Sequence, residues 1–122
     1  VVERIEDNVF WNTAIIEGNF PEATHVGFHA FNTKTVTKLD FSKLSRIGQY
    51  AFNGATQLDT LILRNSTICV LDNTTDTFAK TKIAAGTGYI YVPDNLVDSY
   101  KTATNWVTFA NQIKPISELE GS

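Results

Sequence analysis

Aliphatic and aromatic residues recur along this chain at a fixed long step, rather than at a single helical or strand period. The segments Ile5-Glu6-Asp7-Asn8-Val9-Phe10, Val26-Gly27-Phe28-His29-Ala30-Phe31 and Ile47-Gly48-Gln49-Tyr50-Ala51-Phe52 superimpose. Their phenylalanines, at 10, 31 and 52, are each 21 residues apart. Three further columns keep the register: Ile15, Val36 and Leu58; Gly18, Leu39 and Leu61; Phe20, Phe41 and Leu63. The last step in each is 22, with the extra residue near Gly54-Ala55-Thr56-Gln57. A looser fourth copy aligns Thr77-Phe78 with Ala51-Phe52, then Ile83, then Ile90-Tyr91-Val92 with Leu61-Ile62-Leu63, at a step of 29. A unit this short cannot enclose a core alone. Stacked units bury a continuous one, so the pattern predicts a solenoid.

Within each copy, Leu39-x-Phe41 and Leu61-x-Leu63 alternate as short strands with one buried face. Gly27 and Gly48 follow the aliphatic anchors and suit a tight turn or a close neighbouring backbone. Ala30 and Ala51 are small where coils approach. The expectation is about four coils of 21–29 residues whose short parallel strands form a narrow sheet, occupying residues 1–92. After Val92-Pro93 the pattern changes. Asp94 is a plausible N-cap, and Leu96, Val97, Tyr100 and Ala103 share a helical face. Trp106, Phe109, Ala110 and Ile113 form a second apolar stripe, stopped by Pro115. Residues 93–116 are therefore expected as a helical cap over the last coil's exposed edge, and 117–122 as a flexible tail or cloning scar.

The chain has 122 residues, 43% of them apolar, which suits one folded unit. It carries no apolar run long enough for a membrane span and no charged-then-apolar leader. It has no Met and starts at Val1, which points to a piece of something longer. Net charge is −3, and the ten basic residues are scattered, so nucleic acid is not an expected partner. A single Cys makes neither an internal disulfide nor a thiolate metal site.

The run Ser45-Arg46-Ile47-Gly48-Gln49-Tyr50-Ala51-Phe52-Asn53-Gly54, with Leu58 and Leu61-Ile62-Leu63, resembles the BspA-like class of leucine-rich repeats. Thr87-Gly88-Tyr89-Ile90-Tyr91-Val92-Pro93-Asp94, then Leu96-Val97-Asp98-Ser99-Tyr100-Lys101 and Asn105-Trp106, is similar to the C-terminal end of such arrays. The resemblance runs from Ile5 to about Ile116. It implies a leucine-rich-repeat solenoid on a bacterial surface or phage particle, acting in adhesion, host-protein binding or coaggregation. The Cys often found after the Phe motif is replaced here by Asn53-Gly54-Ala55. No N-terminal cap is visible, so the chain reads as the C-terminal end of a longer array.

No catalytic constellation stands out, and no cofactor or metal is expected. His25 and His29 flank a turn with no third ligand and read as surface residues. Cys69, in Ile68-Cys69-Val70-Leu71, reads as an inert core thiol. Asp94 and Asp98 suit helix capping better than glycosidase chemistry. Gly86-Thr87-Gly88 is a turn, not a dinucleotide fingerprint. Asp72-Asn73-Thr74-Thr75-Asp76 lacks the Gly and Glu of an EF-hand loop. Asn65-Ser66-Thr67 and Asn73-Thr74-Thr75 are glycosylation sequons without meaning in a bacterial host.

The register itself points to a partner-binding face. Residues alternating with the buried positions face outward. One such column is Glu17, Lys38, Thr60 and Tyr89, and the next is Asn19, Asp40, Ile62 and Tyr91. Ile62, Tyr89 and Tyr91 are expected as an exposed apolar patch unless the cap covers them. The leading expectation is a non-catalytic module presenting this face to a host or bacterial surface protein. Two alternatives stand beside it. One is glycan recognition through Tyr89, Tyr91 and Trp106. The other is an architectural end of a stalk or phage tail, self-associating through an uncapped N-terminal coil around Ile5, Val9 and Phe10.

Overall fold

The long step of the sequence becomes the offset between paired strands. A computed structural model describes residues 4–5, 16–27, 30–31, 33–72 and 77–119. Four-residue strands β2 (Glu17–Phe20), β4 (Lys38–Phe41), β6 (Thr60–Leu63) and β8 (Tyr89–Val92) lie parallel, with the three-residue β9 (Ile113–Pro115) beside β8. Two-residue strands β1 (Arg4–Ile5), β3 (His25–Val26), β5 (Arg46–Ile47) and β7 (Val70–Leu71) form a second parallel sheet in that order. Glu17 pairs with Lys38, Lys38 with Thr60 and Thr60 with Tyr89, the alignment the hydrophobic columns predict. Between the sheets the turns pair too. Phe31 N–H donates to the Ala51 carbonyl (2.9 Å) and Phe52 N–H to the Thr77 carbonyl (3.0 Å). Each coil thus satisfies its backbone on the next one, as a buried backbone must.

The interior is a pair of aromatic columns. Phe31, Phe52 and Phe78 stack with centroids 5.6 and 5.3 Å apart, and Phe20 stacks on Phe41 at 5.5 Å. Leu39, Leu61 and Ile90 fill the adjoining row and are all fully buried. Gly18 stands in that row without a side chain. A Cβ there would collide with the Phe20 ring, which covers the gap. At Gly48 a Cβ would come within 2.9 Å of the Val26 carbonyl oxygen, so this glycine marks a close backbone approach between coils. Helix α1 (Lys82–Ala85) takes up part of the longer last step and buries Ile83. The Thr81 hydroxyl caps it by accepting from Ala84 N–H.

The C-terminal segment departs from the expected pair of helices. The first stripe forms a 3-10 turn, Asp94–Leu96, running into α2 (Val97–Thr102). The second is a kinked 3-10 segment, Val107–Gln112, and then β9 rather than a helix. Val107, Thr108 and Asn111 are weak helix formers, which favours this tighter, shorter turn. Trp106, Phe109 and Ile113 are nonetheless buried, so the apolar stripe identified the right side chains. Asp94 does not cap its own turn: its carboxylate accepts from Ser117 N–H at 3.2 Å. Of the residues expected as tail, 117–119 belong to α3 (Ile116–Leu119), which packs against β8 and β9, and 120–122 lie outside the described residues.

These elements finish both sheets. The outer side of β7 meets side chains in place of another strand. The Tyr100 hydroxyl accepts from Cys69 N–H (2.8 Å), Trp106 Nε1–H donates to the Cys69 carbonyl (2.7 Å), and Asn105 Nδ2–H donates to the Leu71 carbonyl (2.6 Å). The other sheet gains β9, a short edge strand ending in Pro115, which has no N–H to offer a further strand. The proposed sticky coil lies mostly outside the described residues: Val9 and Phe10 are not among them, and Ile5 is described only as part of β1.

Candidate partner-binding face

The outward rows of the longer sheet follow from period-two alternation. Leu39, Leu61 and Ile90 point into the core, and the residues on either side of them point away. The structure brings together Glu17, Lys38, Thr60 and Tyr89 in one row, and Asn19, Asp40, Ile62 and Tyr91 in the next, which continues to Lys114 on β9.

Two shallow clefts of about 210 Å³ each open on this face. The first is lined by Glu17, Gly18, Asn19, Lys38 and Asp40. Glu17 and Lys38 are directly opposed, yet neither these two nor Asn19 makes a side-chain hydrogen bond or ion pair among the described residues. Asp40 is engaged: Arg64 grips it with Nε at 2.9 Å and a second nitrogen at 3.0 Å. The second cleft is lined by Tyr89, Tyr91, Lys114 and Glu118. The two tyrosine rings meet at 57° with centroids 6.4 Å apart, and Lys114 Nζ lies 5.6 Å from the Tyr89 centroid. Partial burial raises the Tyr91 phenol above its ordinary pKa, and the Glu118 carboxylate pushes it the same way. The Tyr91 phenol therefore stays a neutral hydrogen-bonding group at physiological pH.

Two expectations need correction. Ile62 is not exposed: its side chain is 0% accessible, although it lies outside the core cluster. Asp40 and Tyr91 flank it in register, and close flanking side chains are what can shield an outward residue. The predicted apolar patch therefore shrinks to Tyr89, 39% exposed, with Tyr91 half-buried beside it. Trp106 cannot serve as a sugar platform, because it is 1% exposed and its N–H is spent on Cys69. Lys114 and Glu118 were missed, since sequence patterning gave their segments to helix and tail. The signal available for Lys114 was the alternation Ile113-x-Pro115 after a broken helical stripe.

Cys69 is buried, and burial, reinforced by the nearby Asp72 carboxylate, raises its thiol pKa, which leaves it unreactive at neutral pH. His25 Nδ1 lies 3.0 Å from the Thr24 hydroxyl, while His29 is outside the described residues, as are four of the five residues of the Asp72–Asp76 stretch. Among the described residues no group of three His, Cys, Asp or Glu is arranged to hold a metal, and no helix is long and apolar enough to cross a membrane.

A family model for the BspA type leucine rich repeat region matches residues 1–103, in six copies. No curated protein matches the chain. Repeats of this type are generally non-catalytic modules. With the match spanning most of the sequence and the parallel strands stacked at the repeat step, the chain belongs to the BspA-type leucine-rich repeat family.

Proposed function

We propose that this chain is a non-catalytic adhesion module of a bacterial surface or secreted protein, and that the face formed by β2, β4, β6, β8 and β9 meets its partner. The observation that carries the reading is the concentration of polar and aromatic groups on that one face: Glu17, Asn19 and Lys38, uncommitted among the described residues, at one end, and Tyr89 with Lys114 at the other. The partner is a molecule displayed on a host or bacterial surface. The stack of short parallel strands supplies a rigid frame for it, and side chains on strands of a scaffold hold position better than side chains on loops.

The test compares binding to immobilised host-matrix proteins and glycans by the native chain and by a variant changed at Lys38, Asp40, Tyr89 and Tyr91. The reading requires binding to be lost with the fold retained by circular dichroism. Because Asp40 is paired with Arg64 and Tyr91 is half-buried, the milder pair Lys38→Ala with Tyr89→Ala is made alongside. Undiminished binding by both folded variants rejects the face.

A second reading has its own support. The side-chain closure of β7 and the proline-ended β9 suit an architectural terminus of a longer stalk or phage-tail array. On that reading further coils stack on the N-terminal side, and an isolated chain self-associates through that side. A sedimentation measurement finding only monomer at high concentration would count against it.

A further inference from the structure

We infer that the ligand of this face is a neutral oligosaccharide laid across the strands, held at both clefts. The inference rests on the proposed binding role of the face and names its ligand class.

Three observations select this chemistry. The first is the lack of an apolar anchor. Protein interfaces draw most of their affinity from desolvated side chains seated in pockets. Ile62, the aliphatic residue at the middle of the face, is fully buried, and Tyr89 is the one large exposed apolar side chain on the two rows. A protein partner finds little to bury here. A sugar needs a ring face for its C–H surface and polar groups for its hydroxyls, and the second cleft supplies both. Tyr89 and Tyr91 form an aromatic corner, and Lys114 and Glu118 border it. The contact of Lys114 with Tyr89 restrains the ring before the ligand arrives, which lowers the cost of ordering it.

The second observation is charge. In the first cleft Glu17 is balanced by Lys38, and Asp40 by Arg64. In the second, Lys114 is balanced by Glu118. The Asp59 carboxylate adds to Glu118 in the field felt at Tyr91, so neither cleft carries the net positive field that would favour sialylated, uronic or phosphorylated ligands over uncharged ones.

The third is span. Adjacent strands lie about 4.8 Å apart, so the row from Glu17 to Tyr89 covers about 14 Å across three strand steps. One monosaccharide cannot reach both clefts. The uncommitted carboxylate, amide and ammonium of Glu17, Asn19 and Lys38 are donors and acceptors suited to a second sugar unit further along the same chain. The two clefts then act as linked sites, and affinity rises with ligand length until both are filled.

The experiment screens the whole chain against neutral oligosaccharides from di- to hexasaccharides of glucose, mannose, galactose and N-acetylglucosamine, with acidic glycans and deglycosylated matrix proteins as further arms. Ligands retained are titrated calorimetrically against four proteins: native, Tyr89→Ala, Lys114→Met, and Glu17→Gln with Lys38→Met. Affinity is expected to rise with length. Tyr89→Ala should weaken every length about tenfold, the contribution of an aromatic platform. Lys114→Met, at a half-buried position on β9 and checked for a retained fold by circular dichroism, should act at the same end and in the same direction. The double variant should weaken only the longer ligands, down to the affinity of the short ones. Exclusive binding of acidic glycans overturns the neutral class. Equal affinity at all lengths overturns the spanning arrangement. Binding of deglycosylated proteins alone, lost in these variants, overturns the glycan and leaves the face assignment standing. Binding that no variant changes, or no binding by the folded chain, overturns both.

Discussion

The closure of β7 by side chains makes a sharp energetic prediction at Tyr100. The ring is fully buried, and its hydroxyl is the acceptor for the Cys69 N–H at 2.8 Å. Tyr100→Phe keeps the ring, including its 5.3 Å edge contact with Trp106, and deletes one oxygen. The cost is then the stranding of a buried backbone donor, about 1–3 kcal/mol. A transition of this size of chain moves by about 4 °C per kcal/mol, so the melting midpoint should fall by about 4–12 °C. Urea titration with far-ultraviolet circular dichroism should show a lower midpoint at an unchanged slope, because the surface exposed on unfolding is the same. Amide exchange gives the local readout: the Cys69 N–H should lose protection more than its neighbours on β5. A midpoint shift equivalent to less than about 0.5 kcal/mol, with the Cys69 amide still protected, would refute the idea that this hydroxyl stands in for a strand.

Further predictions follow from the same contacts. Burial pushes the Tyr100 phenol up to about 12 from 10.0, against a lowering by the Cys69 N–H. Its folded pKa lies above its unfolded one, so its contribution is whole below pH 10 and is lost as pH rises towards 12. That loss amounts to roughly 2–3 kcal/mol, and a stability-versus-pH curve of Tyr100→Phe should lack it. Cys69 is raised in the same sense, so Cys69→Ala should flatten the earlier part of the alkaline decline, and the native thiol should resist a disulfide reagent until urea unfolds the chain. Phe52→Ala opens the middle of the aromatic column between Phe31 and Phe78 and should cost about 3–5 kcal/mol by urea titration. Arg64→Met should cost no more than about 1 kcal/mol, with the difference shrinking in high salt, because its pairing with Asp40 is partly solvent-exposed.

The repeat step carried most of the fold because stacking forces it. A coil can bury its strand only beside an identical coil, so spacing in sequence becomes register in space. The columns from Gly18 to Leu61 and from Phe20 to Leu63 are paired strand positions for that reason. Outward rows were legible from the same alternation. Their solvent exposure was not, because burial of Ile62 depends on the bulk of residues on two other strands. The C-terminal segment was read least well. Helical spacing identified Tyr100, Trp106 and Ile113 as buried, but spacing does not reveal that a side-chain oxygen or an indole N–H will take the place of a missing strand. Nor does it distinguish a weak helix from a 3-10 turn leading into β9, and that ambiguity hid Lys114 and Glu118 from the face they border.

The central claim is that binding takes place on the outward face of the longer sheet. Its most direct test is a nitrogen-15 correlation spectrum of the labelled chain, titrated with a ligand retained in the screen. The account predicts shifts confined to the backbone amides of β2, β4, β6, β8 and β9 and to the side-chain amide of Asn19, with β3, β5 and β7 unmoved. Shifts centred on the β3–β5–β7 side, with the rows from Glu17 to Lys114 silent, would contradict it.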